Sequence, residues 1–232
     1  NYGWTRKTDW TSDDIDVATD SDAATLETLL YYFDQENGAR VGGFIKIAGP
    51  NATGKQDDTN WYYFKDGKAK YAKAEDAVWV DKEGVASTNN ADQGVKKTIM
   101  KEKLEGKYFA FNTAGEMKTG LQAIKDDNAE GGYETYYFDS NGYMKTGKIN
   151  NVEEDDDDTY TYYFNTNNGG QGKGWTGEKD GYLYYKGKRQ EADDDYVIVS
   201  VNGKNYLVNE KGKIQKSTTK YYTDIENDGF EG

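Results

Sequence analysis

Short runs of large apolar and aromatic side chains alternate along this chain with polar stretches that carry glycine. Residues 135–147 read TYYFDSNGYMKTG and residues 108–120 read YFAFNTAGEMKTG. Related runs are LYYFDQENGARVG at 30–42, WYYFKDG at 61–67 and YYFNTNNGGQGKG at 162–174. Weaker copies are VWVDKEG at 78–84, YLYYKG at 182–187, YLVNEKG at 206–212 and YYTDIENDG at 221–229. Each aromatic run has high strand propensity, and an x-Gly pair after it suits a hairpin turn, where glycine tolerates positive φ. The pattern predicts turn glycines at Gly38, Gly67, Gly84, Gly115, Gly142, Gly169, Gly187, Gly212 and Gly229, spaced 17 to 31 residues apart. That spacing describes a unit of roughly 20 residues stretched by insertions. A two-stranded hairpin is marginal alone, so the units are expected to stack. The predicted fold is therefore all-β, a solenoid of stacked β-hairpin repeats with irregular acidic insertions. It divides into a partial or irregular segment at 1–28, a repeat array at 29–217 and a partial repeat at 218–232. The only helical pattern is DAATLETLL at 22–30, with Ser21 or Asp22 as N-cap.

Alternation within each strand sends neighbouring side chains to opposite faces. One face carries Tyr31/Phe33, Tyr62/Phe64, Val78/Val80, Phe109/Phe111, Tyr136/Phe138, Tyr162/Phe164, Leu183/Tyr185 and Tyr206/Val208. This set is uniformly large, so it is assigned to the core. The other carries Leu30/Tyr32, Trp61/Tyr63, Ala77/Trp79, Tyr108/Ala110, Thr135/Tyr137, Thr161/Tyr163, Tyr182/Tyr184 and Asn205/Leu207. Its variety suits an outward or groove-lining face.

Composition changes the nature of that core. Leu, Ile, Val and Phe supply only 35 of 232 residues, which with a net charge of −13 resembles a disordered chain. The counterweight is aromatic: 21 Tyr, 5 Trp and 8 Phe. The core is thus expected to be thin and distributed. The absence of Cys and His excludes disulfides, thiol chemistry and the commonest general base and metal ligand. The negative charge argues against nucleic acid and against an anionic membrane surface. No apolar run is long enough to span a membrane.

The acidic run Glu153-Glu154-Asp155-Asp156-Asp157-Asp158 lacks the spacing of a calcium loop and reads as a solvated, self-repelling insertion, as does Asp193-Asp194-Asp195. No nucleophile motif, phosphate loop or zinc spacing occurs, so no catalytic residue, metal or cofactor is expected.

The repeated unit, TYYFDSNGYMKTG above all, resembles the cell-wall-binding repeats of Gram-positive surface proteins. Choline-binding modules, glucan-binding regions of glucosyltransferases and the C-terminal repeats of large clostridial toxins belong to that family. The resemblance covers roughly residues 29–217 and implies a β-solenoid attached to a separate domain; both ends of the chain read as cut from something longer. In the choline-binding branch it implies a cage made of four residues: the first and third residues of the aromatic strand, a Met in the second strand, and a Trp after the closing Gly. Such a cage holds a quaternary ammonium by about 0.5–2 kcal/mol per cation–π contact. Met117 and Met144 stand at the Met position. The position after the closing glycine holds Phe44, Leu121 or Lys148, and Trp only at Trp175, read with Gly174 as its closing glycine. The candidate ligand-binding residues are Tyr163 with Trp175, near Tyr182 and Tyr184, and separately Trp61 with Tyr63.

The resulting expectation is a non-catalytic module of an exported bacterial protein, extracellular and cell-wall associated, whose partner is a cell-wall polymer or polysaccharide. The runner-up is a stalk with no ligand. A host-protein adhesin acting through the acidic insertions is a third class.

Overall fold

The computed structural model describes residues 3–6, 16–17, 30–50, 59–80, 95–154 and 158–216. Among them there is no α-helix, and nineteen strands form five small antiparallel sheets. The first sheet contains β1 (Gly3–Arg6), β2 (Asp16–Val17), β3 (Leu30–Phe33), β4 (Gly43–Ala48), β5 (Thr59–Lys65) and β6 (Lys68–Ala69), in the order β2-β1-β3-β6-β5-β4. The second contains β7 (Ala77–Val80), β8 (Val95–Leu104), β9 (Lys107–Asn112) and β10 (Met117–Lys118), in the order β10-β9-β8-β7. Next, β11 (Gly120–Lys125) pairs with β12 (Tyr133–Phe138). The fourth sheet contains β13 (Gly147–Glu153), β14 (Thr159–Phe164), β15 (Gly177–Lys179), β16 (Tyr182–Tyr185) and β17 (Lys188–Arg189), in the order β13-β14-β17-β16-β15. Last, β18 (Tyr196–Val201) pairs with β19 (Lys204–Asn209). The helical pattern at 22–30 lies outside the described residues, apart from Leu30 in β3, and so do Gly84 and Gly229.

Two turn types close the strands. Asp66-Gly67, Glu105-Gly106, Asp180-Gly181, Lys186-Gly187 and Asn202-Gly203 each have positive φ at both residues and join strands directly, as a two-residue type I′ hairpin requires. The longer turns start on an Asx residue just past the aromatic strand. Asp139 Oδ1 accepts from the Asn141 and Tyr143 amides, and Asn209 Oδ1 accepts from those of Lys211 and Lys213. In these turns the positive-φ glycine stands two residues before the bridging residue: Gly115 before Met117, Gly142 before Met144, Gly212 before Ile214. The 162–174 copy obeys the same rule with Gly172, at φ 83°, before Gly174. Gly172, not Gly169, is therefore the turn glycine there. The turn is longer than its relatives: Phe164 bridges Gly174, whereas Phe138 bridges Met144.

Successive units are tied to one another along the chain. The Met144 amide donates to Tyr108 O, that of Gly174 to Thr135 O, and that of Ile214 to Gly181 O, each reaching back to an earlier unit. The thioethers of Met117 and Met144 lie against Gly142 and Gly172, the turn glycines of the following units. Lys186, only 6% exposed, adds a further tie. Its ammonium donates to Tyr133 O at 2.7 Å and to Glu130 O, and lies 3.6 Å from the Tyr133 ring centroid. Burial lowers its pKa.

The buried side chains form five small clusters among the described residues, not one centre. The expected inward row fills most of them: Tyr62, Phe64, Phe109, Phe111, Tyr136, Phe138, Tyr162, Phe164, Leu183 and Val208 are all buried. The first copy departs from the pattern. Tyr32 is buried, while Tyr31 and Phe33 are half-buried, because Trp4 of β1 and Phe64 of β5 cover the Tyr32 face at 5.5 and 5.6 Å between ring centroids. Ala110 is also buried, because β9 is covered on both sides. Phe109 and Phe111 pack on one side with Leu104, and Ala110 packs on the other with Ile99, Ile124, Tyr136 and Phe138.

Two buried tyrosines differ in their hydroxyls, and the difference predicts opposite mutational signs. The Tyr62 hydroxyl has no hydrogen-bond partner among the described residues. The Tyr162 hydroxyl donates to Glu154, which also accepts from Lys188 at 3.0 Å. Removing an unsatisfied buried polar atom is neutral or favourable, and removing one that bonds a carboxylate costs about 1.5–3 kcal/mol. Urea denaturation of Tyr62→Phe should therefore give wild-type stability or higher, and Tyr162→Phe should lose about 2 kcal/mol.

Candidate ligand-binding site

A cavity of about 320 Å³ opens where the β4–β5 hairpin meets β8–β10 and the turn at 140–143. Register builds its first wall. Phe44 faces Tyr63 across β4–β5 and their rings meet at 4.8 Å; Trp61 follows two residues from Tyr63 on the same face. Phe109 lies 4.5 Å from Phe44 and 5.5 Å from Tyr143, so three rings run in sequence along the cavity. Leu104, Met117 and Phe109 form its apolar floor. Glu105, Lys107, Ser140 and Asn141 bring polar groups to the same space. Trp61 is 43% exposed and Tyr143 is exposed too, an unusual state for large rings flanking a hollow. The volume falls within the range of small-ligand pockets, and the lining has their usual makeup of aromatic walls and a few polar groups. Flat ring faces beside a hydroxyl, an amide and a carboxylate can stack a sugar ring and hydrogen-bond its hydroxyls. The Lys107 ammonium already lies 4.0 Å from the Tyr143 ring centroid.

Of the residues singled out from sequence, Trp61 lines this cavity, and Tyr63 supports it from behind through Phe44. The other group gathers elsewhere. Tyr163 meets Trp175 edge-on at 6.1 Å and Tyr184 at 5.9 Å. Tyr184 is only 2% exposed, so it is an inner wall of that group and offers no open face. The cause is packing at the junction of β14, β16 and β17, and burial also raises the Tyr184 phenol pKa. The Tyr182 ring faces Arg189 at 5.5 Å. Trp175 donates its indole N–H to Glu178 O at 3.3 Å.

The register of Trp175 differs from its reading in sequence. Its amide donates to Tyr163 O, as those of Val41, Lys145 and Gln215 donate to Tyr32 O, Tyr137 O and Leu207 O. Trp175 thus stands in the second strand of its unit, equivalent to Lys145. The closing glycine is Gly177, at φ 114°, and the residue after it is Glu178. The extended 165–173 turn hides this register, because counting from the aromatic run stops at Gly169 instead of Gly172.

Phe109, Tyr143, Lys107, Ser140 and Asn141 are lining residues that the strand pattern did not single out as ligand-facing. Phe44 and Met117 did carry a signal, since they occupy the post-glycine and Met positions of the unit. Tyr143 follows a turn glycine in a copy with no long insertion, and its exposure depends on the neighbouring hairpin.

Elsewhere, among the described residues, no group of three or more acidic side chains is arranged to hold a metal, and no helix is long and apolar enough to cross a membrane. Glu154, inside the acidic run, is engaged by Tyr162 and Lys188. Residues 155–157 lie outside the described set.

Fold and site together define a class: an all-β array of aromatic hairpins with a ligand-sized hollow between units. Among solved structures, the chain is similar to choline binding protein F from Streptococcus pneumoniae, with 20% identity and a TM-score of 0.31, covering 87% of this chain and 58% of that one. It is also similar to the Cpl-1 endolysin complexed with a peptidoglycan analogue, with 19% identity and a TM-score of 0.35, covering 79% of this chain and 40% of that one. A third similarity is to truncated alternansucrase from Leuconostoc mesenteroides, with 23% identity and a TM-score of 0.29, covering 73% of this chain and 13% of that one. The chain spans less than two thirds of each of these proteins, and similarity at this level carries no argument about a ligand. Neither the protein-family models nor the curated proteins contain a match.

Proposed function

We propose that this chain is a non-catalytic carbohydrate- or cell-wall-binding region of an exported bacterial surface protein, with its hairpins stacked as a solenoid and attached to a further domain. The observation that carries this reading is the 320 Å³ cavity with Trp61 exposed at its edge and Phe44, Phe109 and Tyr143 along its wall. A polymer engaging this cavity and the Tyr163–Trp175 pair together would gain by avidity, so each site can be weak. Unit-to-unit hydrogen bonds supply the nearest-neighbour contacts that stacked repeats need.

The test is retention on purified peptidoglycan, teichoic acid and α-glucan at low and high salt. Trp61→Ala is expected to weaken retention about tenfold, the size of a lost aromatic contact at a binding surface. Trp175→Ala is expected to act less, since the indole is already committed to Tyr163 and Glu178. Full retention of Trp61→Ala would discard the cavity as the site. No retention of the wild type on any polymer would favour the stalk.

A further inference from the structure

Aromatic faces attract cations through the ring quadrupole, and significant pairs occur roughly once per 70–80 residues. The described residues hold eleven, with cation-to-centroid distances of 3.5 to 6.0 Å. The chain's own lysines and arginines thus lie over ten of the described rings. Both candidate sites are included. Lys107 lies 4.0 Å from the Tyr143 centroid in the cavity, and Lys179 lies 5.5 Å from Tyr163 and 6.0 Å from Trp175. Backbone position keeps these charges local. Lys107 opens β9 two residues before Phe109, on the same face, and Lys179 ends β15 opposite Tyr182.

We propose that the charges of Lys107 and Lys179 over these rings make the region reject quaternary ammonium ligands, while the flexible lysine side chains swing aside for an uncharged saccharide. The saccharide half of this inference rests on the function proposed above; the rejection rests on charge alone. An ammonium ligand on the exposed face of Tyr143 would compete for the space of the Lys107 ammonium, which lies 4.0 Å from that ring centroid. Two unit charges about 5 Å apart weaken binding roughly fourfold in bulk water and more than about a hundredfold at the effective dielectric near a protein surface; the exposed Lys107 lies between these limits, enough to offset the cation–aromatic gain. With Lys107 neutralised, Glu105 remains on the same cavity wall as the one carboxylate among its lining residues and can attract a bound cation.

The test titrates tryptophan fluorescence of the full chain with choline and, separately, with isomaltotriose, for wild type, Lys107→Gln and Lys179→Gln. Lys107→Gln is expected to raise choline affinity about tenfold or more, and Lys179→Gln by a smaller factor. Isomaltotriose affinity is expected not to rise with choline affinity: it stays level or falls by up to about tenfold, the size of one lost polar contact. Adding Glu105→Gln to Lys107→Gln should remove the choline gain. Equal choline affinity in wild type and Lys107→Gln overturns the proposal. A choline gain with no isomaltotriose binding by any form upholds the rejecting role of the lysine and defeats the saccharide reading, so the two failures are separable.

Discussion

Raising the pH above 10 is expected to unfold this array steeply, at a rate of about 4 kcal/mol of stability per pH unit. Tyr62, Tyr136 and Tyr162 are buried, and burial is the largest cause raising each phenol far above its ordinary pKa. Nearby carboxylates push the same way: Glu116 at Tyr62, Glu134 and Asp126 at Tyr136, and Glu154 at Tyr162, to which Tyr162 also donates a hydrogen bond. The unfolded chain gives up these protons from about pH 10, while the folded chain keeps them. Stability is thus fully present below pH 10 and falls above it by about 1.4 kcal/mol per unit for each tyrosine. Lys101 and Lys186 act with the opposite sign. Burial lowers both pKa values, so the unfolded chain binds more protons in a window that ends at 10.5, and stability rises with pH through it. Above pH 10 the opposing tyrosine effect is the larger, so stability is expected to fall steeply there. Thermal melts by circular dichroism across pH 7–12, with phenolate absorbance read in parallel, check this. Phenolate signal from all 21 tyrosines near pH 10 with the melt unchanged would refute it. In Tyr162→Phe the slope above pH 10 should be shallower by about one third.

The second large effect is expected at Gly174. A Cβ there would lie 2.3 Å from Lys186 O, 2.4 Å from Lys186 C and 2.7 Å from Gly187 N. All three are backbone atoms of a type I′ turn, and the Gly174 amide is simultaneously committed to Thr135 O. Nothing flexible can yield, so Gly174→Ala should cost at least about 3 kcal/mol. The damage should be local, because each unit contacts mainly its neighbours. Hydrogen exchange is expected to accelerate across β12, β14, β16 and β17 and to stay at the wild-type rate in β4–β5. Gly169→Ala is the control. Gly169 lacks the positive φ of Gly172 and has open space around its would-be Cβ, so its variant should match wild type. If Gly169→Ala proves the more damaging of the two, then Gly169 and not Gly172 closes the turn of the 162–174 copy.

Much of the fold was legible in the residues because strand alternation is a local property. The pairs Tyr62/Phe64, Phe109/Phe111, Tyr136/Phe138 and Tyr162/Phe164 face inward because side chains alternate along any strand, whatever lies beyond. The turns at Gly67, Gly115, Gly142, Gly187 and Gly212 were equally local. Asn202-Gly203 and Asp180-Gly181 carried the same hairpin signal in sequence but stand outside the aromatic-run-plus-glycine unit. The candidate site was half legible. Trp61 stood out as a large ring on the variable face, whereas Lys107 and Tyr143 carried no ligand-facing signal of their own.

Sequence by itself determined that this is an all-β chain of aromatic hairpins with a thin, tyrosine-rich core, since propensity, alternation and turn chemistry act within a few residues. Only the tertiary structure decided which rings close on a neighbour and which stay open. Tyr184 is sealed by β14 and β17, Tyr32 is turned inward by Trp4, and Trp175 is moved out of its expected register by a turn whose length no pattern constrains. Of the lysines on the ring faces, Lys107 belongs to the same category. Lys107 meets Tyr143, 36 residues further on, only because their two hairpins pack together, whereas Lys179 meets Trp175 within one short stretch of chain.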